Sequence, residues 1–171
     1  MWLLSQNAIL TKDNLIKRKW KGEKTCAFCT EEESVQHIFF ECLTTKYIWN
    51  LLAYSLGADC RPSNMEQYWV WVNKFLPQSP QMHAVGLAAV YWAIWRSRNS
   101  VCFEDKRINS PTEIVCMICS FLTYWAGLLS EDLKDQVIQG ADAVKTAALF
   151  FHKQSQQACA RDEHQLVPYA G

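Results

Sequence analysis

Cys26, Cys29, His37 and Cys42 fall within seventeen positions, at the spacing Cys-x2-Cys-x7-His-x4-Cys. Any fold this chain adopts must bring the four together if they share one ion. Cys-x2-Cys is the spacing at which a tight backbone knuckle aims two thiolates at a single metal, and a His and a third Cys fill the remaining corners. Four N/S ligands leave no open position for water or substrate, so the expected ion is one structural Zn2+. The alternative, ordinary buried thiols beside a core histidine, suits the first pair poorly. Lys24-Thr25-Cys26-Ala27-Phe28-Cys29-Thr30 is a polar turn that offers two thiols no core.

The chain has 171 residues, half of them hydrophobic and 13% aromatic, with eight Trp, so a sizeable core can form. Formal net charge is zero, which argues against a broad basic surface. Met1-Trp2-Leu3-Leu4-Ser5-Gln6-Asn7 lacks the charged and apolar regions of a signal peptide. The expected setting is therefore intracellular, nucleus or cytoplasm rather than secreted, with thiols reduced and free for metal. Cys60, Cys102, Cys116, Cys119 and Cys159 are scattered and read as small core hydrophobes.

Periodicity predicts a mostly α fold, a small zinc-knuckle module followed by a helical, bundle-like body. Thr11 is positioned to cap a helix to about Lys19, and Glu33-Ser34 to open a short one over Val35 to Phe40. Helices follow over Thr45–Leu56 and over Asn64–Leu76, the second capped by Ser63. From Gln81 to Asp105, the residues Val85, Ala88, Trp92, Trp95, Asn99 and Cys102 recur at helical spacing and read as a core stripe. Ser110-Pro111-Thr112-Glu113 is a strong helix start. The uncharged run Ile114–Leu129 reads as a central buried helix and not as a membrane span. Within it Cys116 and Cys119 repeat the Cys-x2-Cys spacing, but without a His or a polar turn they read as packing. Glu131–Lys153 reads as amphipathic and broken near Gly140. A small hairpin at the knuckle is compatible with the sequence. The expected divisions are 1–56 for the zinc module, 57–153 for the helical body and 154–171 for a flexible tail.

No Gly-rich phosphate loop, nucleophile elbow or His-Glu-x-x-His pattern occurs, so no enzyme is expected. His83, His152 and His164 stand far apart and read as solvated or capping residues. One stretch is locally basic: Lys12, Lys17, Arg18, Lys19, Lys21 and Lys24, opposed by Asp13 and Glu23, with Trp20 among them. These cations could contact phosphates while the ring stacks on a base. They could equally form a solvated face with Trp20 tucked against the zinc loop. The run Glu31-Glu32-Glu33 beyond the knuckle would repel a polyanion and make any binding surface one-sided.

Trp2-Leu3-Leu4, Ile9-Leu10-Thr11-Lys12-Asp13-Asn14-Leu15, Cys26-Ala27-Phe28-Cys29, Glu33-Ser34-Val35-Gln36-His37-Ile38-Phe39-Phe40-Glu41-Cys42 and Ile48-Trp49 follow one another. Over about residues 1–52 this string resembles the zinc-binding domain found downstream of the reverse transcriptase in plant non-LTR (LINE-type) retrotransposons. The resemblance implies Cys26, Cys29, His37 and Cys42 as metal ligands. Trp92-Ala93-Ile94-Trp95-Arg96-Ser97-Arg98-Asn99 looks like the helical region that follows the domain in such elements. Family members enter the domain through an upstream extended segment, and Met1 stands where that segment would have passed. The polymerase and endonuclease portions are missing, so reverse transcription is not expected of this chain.

The leading expectation is a non-enzymatic, retroelement-derived zinc protein that binds RNA or single-stranded DNA through Lys12, Lys17, Arg18, Lys19, Trp20, Lys21 and Lys24. Its rival is a helical interaction module, an adaptor or homo-oligomer braced by zinc, with Trp69, Trp71, Trp92 and Trp95 forming the partner surface. A remnant without selected function is a third.

Overall fold

Six α-helices and one π-helical turn form the regular structure of the described residues, which are 8–165 of this computed structural model, with side chains to 158. They are α1 (Lys12–Lys17), the π-turn (His37–Glu41), α2 (Leu43–Ser55), α3 (Met65–Phe75), α4 (Pro80–Phe103), α5 (Pro111–Ala126) and α6 (Glu131–Gln165). The mostly α expectation holds. Among the described residues the knuckle hairpin reduces to one antiparallel bridge, Thr25 with Glu32. Trp2-Leu3-Leu4 and Pro168 lie outside the described residues, as do the side chains of Cys159 and His164.

Most helix boundaries follow from capping. Ser110 Oγ accepts from Thr112 N, Pro111 occupies the first turn, and Glu113 Oε1 accepts from Asn109 N, so α5 starts as its sequence implies. The cap of α3 is Asn64 and not Ser63: Asn64 Oδ1 accepts from Gln67 N at 2.8 Å, while Ser63 donates to the Gln67 side chain. Thr11 precedes α1 without capping it, because its hydroxyl is turned to Asp13 Oδ1 and the Ile9 carbonyl.

Helices α1 and α2 end in the same left-handed turn. After α2, Gly57 has φ 65°, Gly57 N donates to Tyr54 O and Ala58 N to Ala53 O. After α1, Lys19 has φ 68°, Lys19 N donates to Ile16 O and Trp20 N to Leu15 O. This pairing of bonds satisfies the last carbonyls and normally uses glycine, since a Cβ is disfavoured at positive φ. Lys19→Gly is therefore expected to raise stability by roughly 1 kcal/mol in a denaturant titration.

Three expectations change. The stripe through Val85, Ala88, Trp92, Trp95, Asn99 and Cys102 is not the buried face of α4. Leu87, Val90, Tyr91, Ile94, Ser97 and Arg98 are buried, whereas Trp92 is 49% exposed. This helix carries apolar residues on every side, so periodicity leaves the choice of face to its neighbours, α5 and the π-turn. Helix α6 runs through Gly140 without a break, because an interior glycine costs only about 1 kcal/mol relative to alanine. It also continues past Lys153 into the 154–171 stretch. Finally, His83 is buried rather than solvated, with Nε2 2.8 Å from Pro77 O.

No helix of the described residues is long and apolar enough to cross a membrane. Helix α5 is buried on one face and not all round: Ile114, Val115, Ile118 and Cys119 face inward, while Ser120, Thr123 and Tyr124 are exposed. Burial pushes the Cys119 thiol up to about 12, as fits an inert packing residue.

The core is continuous from the π-turn to α6. Ile38, Phe39 and Phe40 belong to one apolar cluster with Ile48 and Trp49 of α2, Trp71 of α3, Ile94 of α4, Ile118 of α5 and Val144 of α6. Its centre is aromatic, with Phe40 stacked on Trp49 at 5.7 Å between centroids and Phe39 against Tyr91 at 4.4 Å. The segment between the last two predicted metal ligands thus supplies the core's first layer.

Candidate metal centre and the basic loop beside it

The first two ligands lie in the loop closed by the Thr25–Glu32 bridge. Cys26 N donates to Glu31 O at 2.7 Å and Glu33 N to Lys24 O at 2.9 Å, so the two arms are held side by side. Phe28 N donates to Cys26 Sγ at 3.4 Å. The backbone N–H groups of Glu31 and Thr44 act on Cys29 and Cys42 in the same sense. Each sulfur therefore meets an amide two residues downstream, which favours its thiolate.

The other two ligands depend on the π-turn. Ser34 Oγ accepts from His37 N at 3.0 Å and opens it. Cys42 N then donates to His37 O at 2.8 Å, a bond reaching back five residues. On a regular α-helix, residues five apart point about 140° away from one another. The wider turn closes a direct backbone bond between them instead. Cys42 leaves helical geometry (φ −58°, ψ 142°) and becomes the N-cap residue of α2, where the helix dipole also favours an anion. Trp49 Nε1 donates to Phe39 O at 2.8 Å, so a core tryptophan of α2 holds the same turn from behind.

The ligand atoms of Cys26, Cys29, His37 and Cys42 all lie within 4.8 Å of one another, and Cys29 Sγ is 3.2 Å from His37 Nε2. A zinc tetrahedron with Zn–S near 2.3 Å has S···S edges of about 3.8 Å, so the cluster is the size of one ion's shell. Cys26, His37 and Cys42 are buried and Cys29 is partly exposed. A hydrogen bond with Cys42, and then burial, hold the Cys26 thiol far above its usual range. The same bond draws Cys42 down to about 5 against the effect of burial. Burial pushes Cys29 up. Three converging sulfurs at this distance cannot all ionise without a cation among them, and Zn2+ supplies that charge. Soft thiolates with one imidazole suit zinc, and four protein ligands close its shell.

Glu33 has a role that its sequence setting concealed. Glu33 belongs to the acidic run expected to repel a polyanion, yet it is fully buried. Its Oε1 accepts from Arg98 Nη2 at 2.7 Å and from Lys12 N at 2.9 Å, and its Oε2 accepts from Arg98 Nε at 3.2 Å. Arg98, equally buried, comes from α4 and also donates to Asn99 Oδ1. The pair ties the zinc loop and the start of α1 to the helical body. Arg98, in a largely apolar helix that also carries Arg96, is the one sequence sign of it. Of the acidic run, Glu32 is 3.7 Å from Lys24, so its charge is partly offset within the loop.

The structure sorts the seven residues of the basic stretch into two groups. Lys12 donates to Thr25 O, Lys17 to Asn14 Oδ1 with Asp13 at 3.6 Å, and Lys24 faces Glu32. Arg18, Lys19 and Lys21 are exposed with no ion pair among the described residues. Trp20 stands among them, 41% exposed. A Cβ on Gly22 would fall 1.9 Å from the Trp20 ring, so the indole lies directly over the Gly22 backbone. That glycine is what lets the ring fold back after the Lys19 turn. Trp20 thus packs over its own loop at Gly22 and keeps surface in solvent.

The family model described as zinc-binding in reverse transcriptase matches residues 1–49, which include all four ligands. That model is a zinc-binding domain and not the polymerase catalytic domain. No curated protein matches the chain. No solved structure matches it either.

Proposed function

We propose, from a chain whose first 49 residues match a zinc-binding domain of reverse transcriptases, that this protein is a non-enzymatic nucleic-acid-binding module. It contacts single-stranded RNA or DNA through Arg18, Lys19, Trp20 and Lys21. The metal's part is structural, since its ligands fill the shell. The observation that carries the reading is a set of three exposed cations, without an ion pair among the described residues, around a half-exposed indole on a turn beside the zinc loop. Lys12, Lys17 and Lys24 frame this turn and add to its field while their ammonium groups brace the loop.

A salt titration of binding to single-stranded RNA and DNA tests it. Each phosphate contact contributes about 0.7 to the slope of log K against log salt for single strands. Reversing Arg18, Lys19 and Lys21 to Glu should therefore weaken binding and lower that slope by about 2. Trp20→Ala should cost about 1–3 kcal/mol if one base stacks on the ring, with little change of slope. Absence of measurable binding at low salt would rule the proposal out.

The second reading, an adaptor or homo-oligomer, draws support from Trp69, Val70 and Trp92, which are 39%, 72% and 49% exposed. Trp71 is buried in the core and cannot serve it. Self-association in concentration-dependent light scattering, without nucleic-acid affinity, would favour this reading instead.

A further inference from the structure

An apolar cleft of about 110 Å³ opens among α2, α3, α4, α5 and α6, away from the metal and the basic loop. Trp49, Tyr68 and Trp71 line it with aliphatic side chains from all five helices, and Gln136 is a rare polar group in its wall. The polar tips of the aromatic residues are engaged elsewhere: Tyr68 Oη donates to His83 O and Trp71 Nε1 to Cys60 O. Water needs two to four polar partners to settle in such a space, and this wall offers few.

Gly86 and Gly140, both in helix interiors, also line the cleft. Neither is required by its backbone. A Cβ at Gly140 would meet no atom within 4 Å, and one at Gly86 would make an ordinary 3.7 Å contact with Tyr68 Oη. Alanine would strengthen both helices and narrow the space. Two helix-weakening residues thus border one void that they leave open.

We propose that this cleft binds a small, flat, apolar molecule, a single aromatic ring without a hydrogen-bonding group. The volume is of the same order as the engineered cavity of about 150 Å³ that takes up benzene. The wall offers ring faces and aliphatic carbons, and almost nothing to receive a hydroxyl.

Toluene and phenol, titrated separately into the zinc-loaded full chain, provide the test, read by thermal unfolding and by tryptophan fluorescence, since Trp49 and Trp71 line the site. Toluene should give a saturable fluorescence change and raise Tm by about 3–6 °C at ten times its Kd. Phenol should bind about tenfold more weakly or worse, because its hydroxyl loses water without gaining a partner. Gly140→Leu should abolish the toluene response while circular dichroism stays unchanged. Ala141→Leu, on the same wall, serves if that variant misfolds. No saturable toluene response, equal affinity for phenol, or an undiminished response in both filled variants would each overturn the proposal.

Discussion

Replacing Cys29 with Ser, or withdrawing zinc with a strong chelator, is expected to unfold the protein well beyond the loop that carries the ligand. Zinc binding in structural modules is worth on the order of 10–16 kcal/mol at neutral pH, as much as the whole stability of an ordinary domain. Here the metal holds the two ends of the segment that delivers Ile38, Phe39 and Phe40 to the core. Losing it frees the π-turn, and Trp49 then loses both its stacking partner Phe40 and its acceptor on Phe39. Cys29 is the ligand to change because it is partly exposed, so the variant removes a metal bond with little effect on packing. Helical circular dichroism and tryptophan fluorescence should both fall on chelation and recover when zinc is restored. Protein purified without added zinc should carry about one ion per chain. A value well under one, with spectra indifferent to chelator, would refute the structural role. Protons compete with zinc for three thiolates, so affinity should rise with pH.

Arg98→Met is expected to lower stability by about 3–5 kcal/mol, the cost of leaving one member of a buried ion pair alone. For a chain of this size that corresponds to a fall in Tm of about 6–20 °C. Glu33→Leu should do similar damage, because Glu33 also receives the Lys12 amide at the start of α1. The double variant Glu33→Leu/Arg98→Met should recover much of the loss, since an apolar pair of similar volume carries no desolvation cost. The double-mutant cycle isolates the coupling. Additive losses would mean that the two side chains stabilise the fold independently, contrary to the bidentate geometry seen here. The cation also lies 5.1 Å from the Trp95 ring and 5.6 Å from Phe103. Lysine at this position keeps the charge but not the fork, and should restore only part of the stability.

Local chemistry was legible from the start. The ligand set and the cap at Ser110 depend on residues a few positions apart, whose options are few. The face of α4 was not legible, because a helix apolar on every side has no preferred direction until neighbours surround it. The continuity of α6 through Gly140 was hidden for a related reason, as packing along α5 outweighs one weak propensity. The basic stretch could be seen as charge, but not sorted. Which cations brace the loop and which stay free depends on the positions of Thr25, Asn14 and Glu32 in space.

By itself, the sequence determined that Cys26, Cys29, His37 and Cys42 would form one closed metal site, since three thiols and an imidazole at that spacing have few other uses. Only the tertiary structure decided what the site holds together. The π-turn between His37 and Cys42 makes the metal's own segment part of the central core. Glu33 and Arg98, 65 positions apart, meet only once α4 lies against the loop. Ligand spacing is a local property written in a few residues, whereas burial and charge pairing at long range depend on which surfaces the whole chain brings into contact.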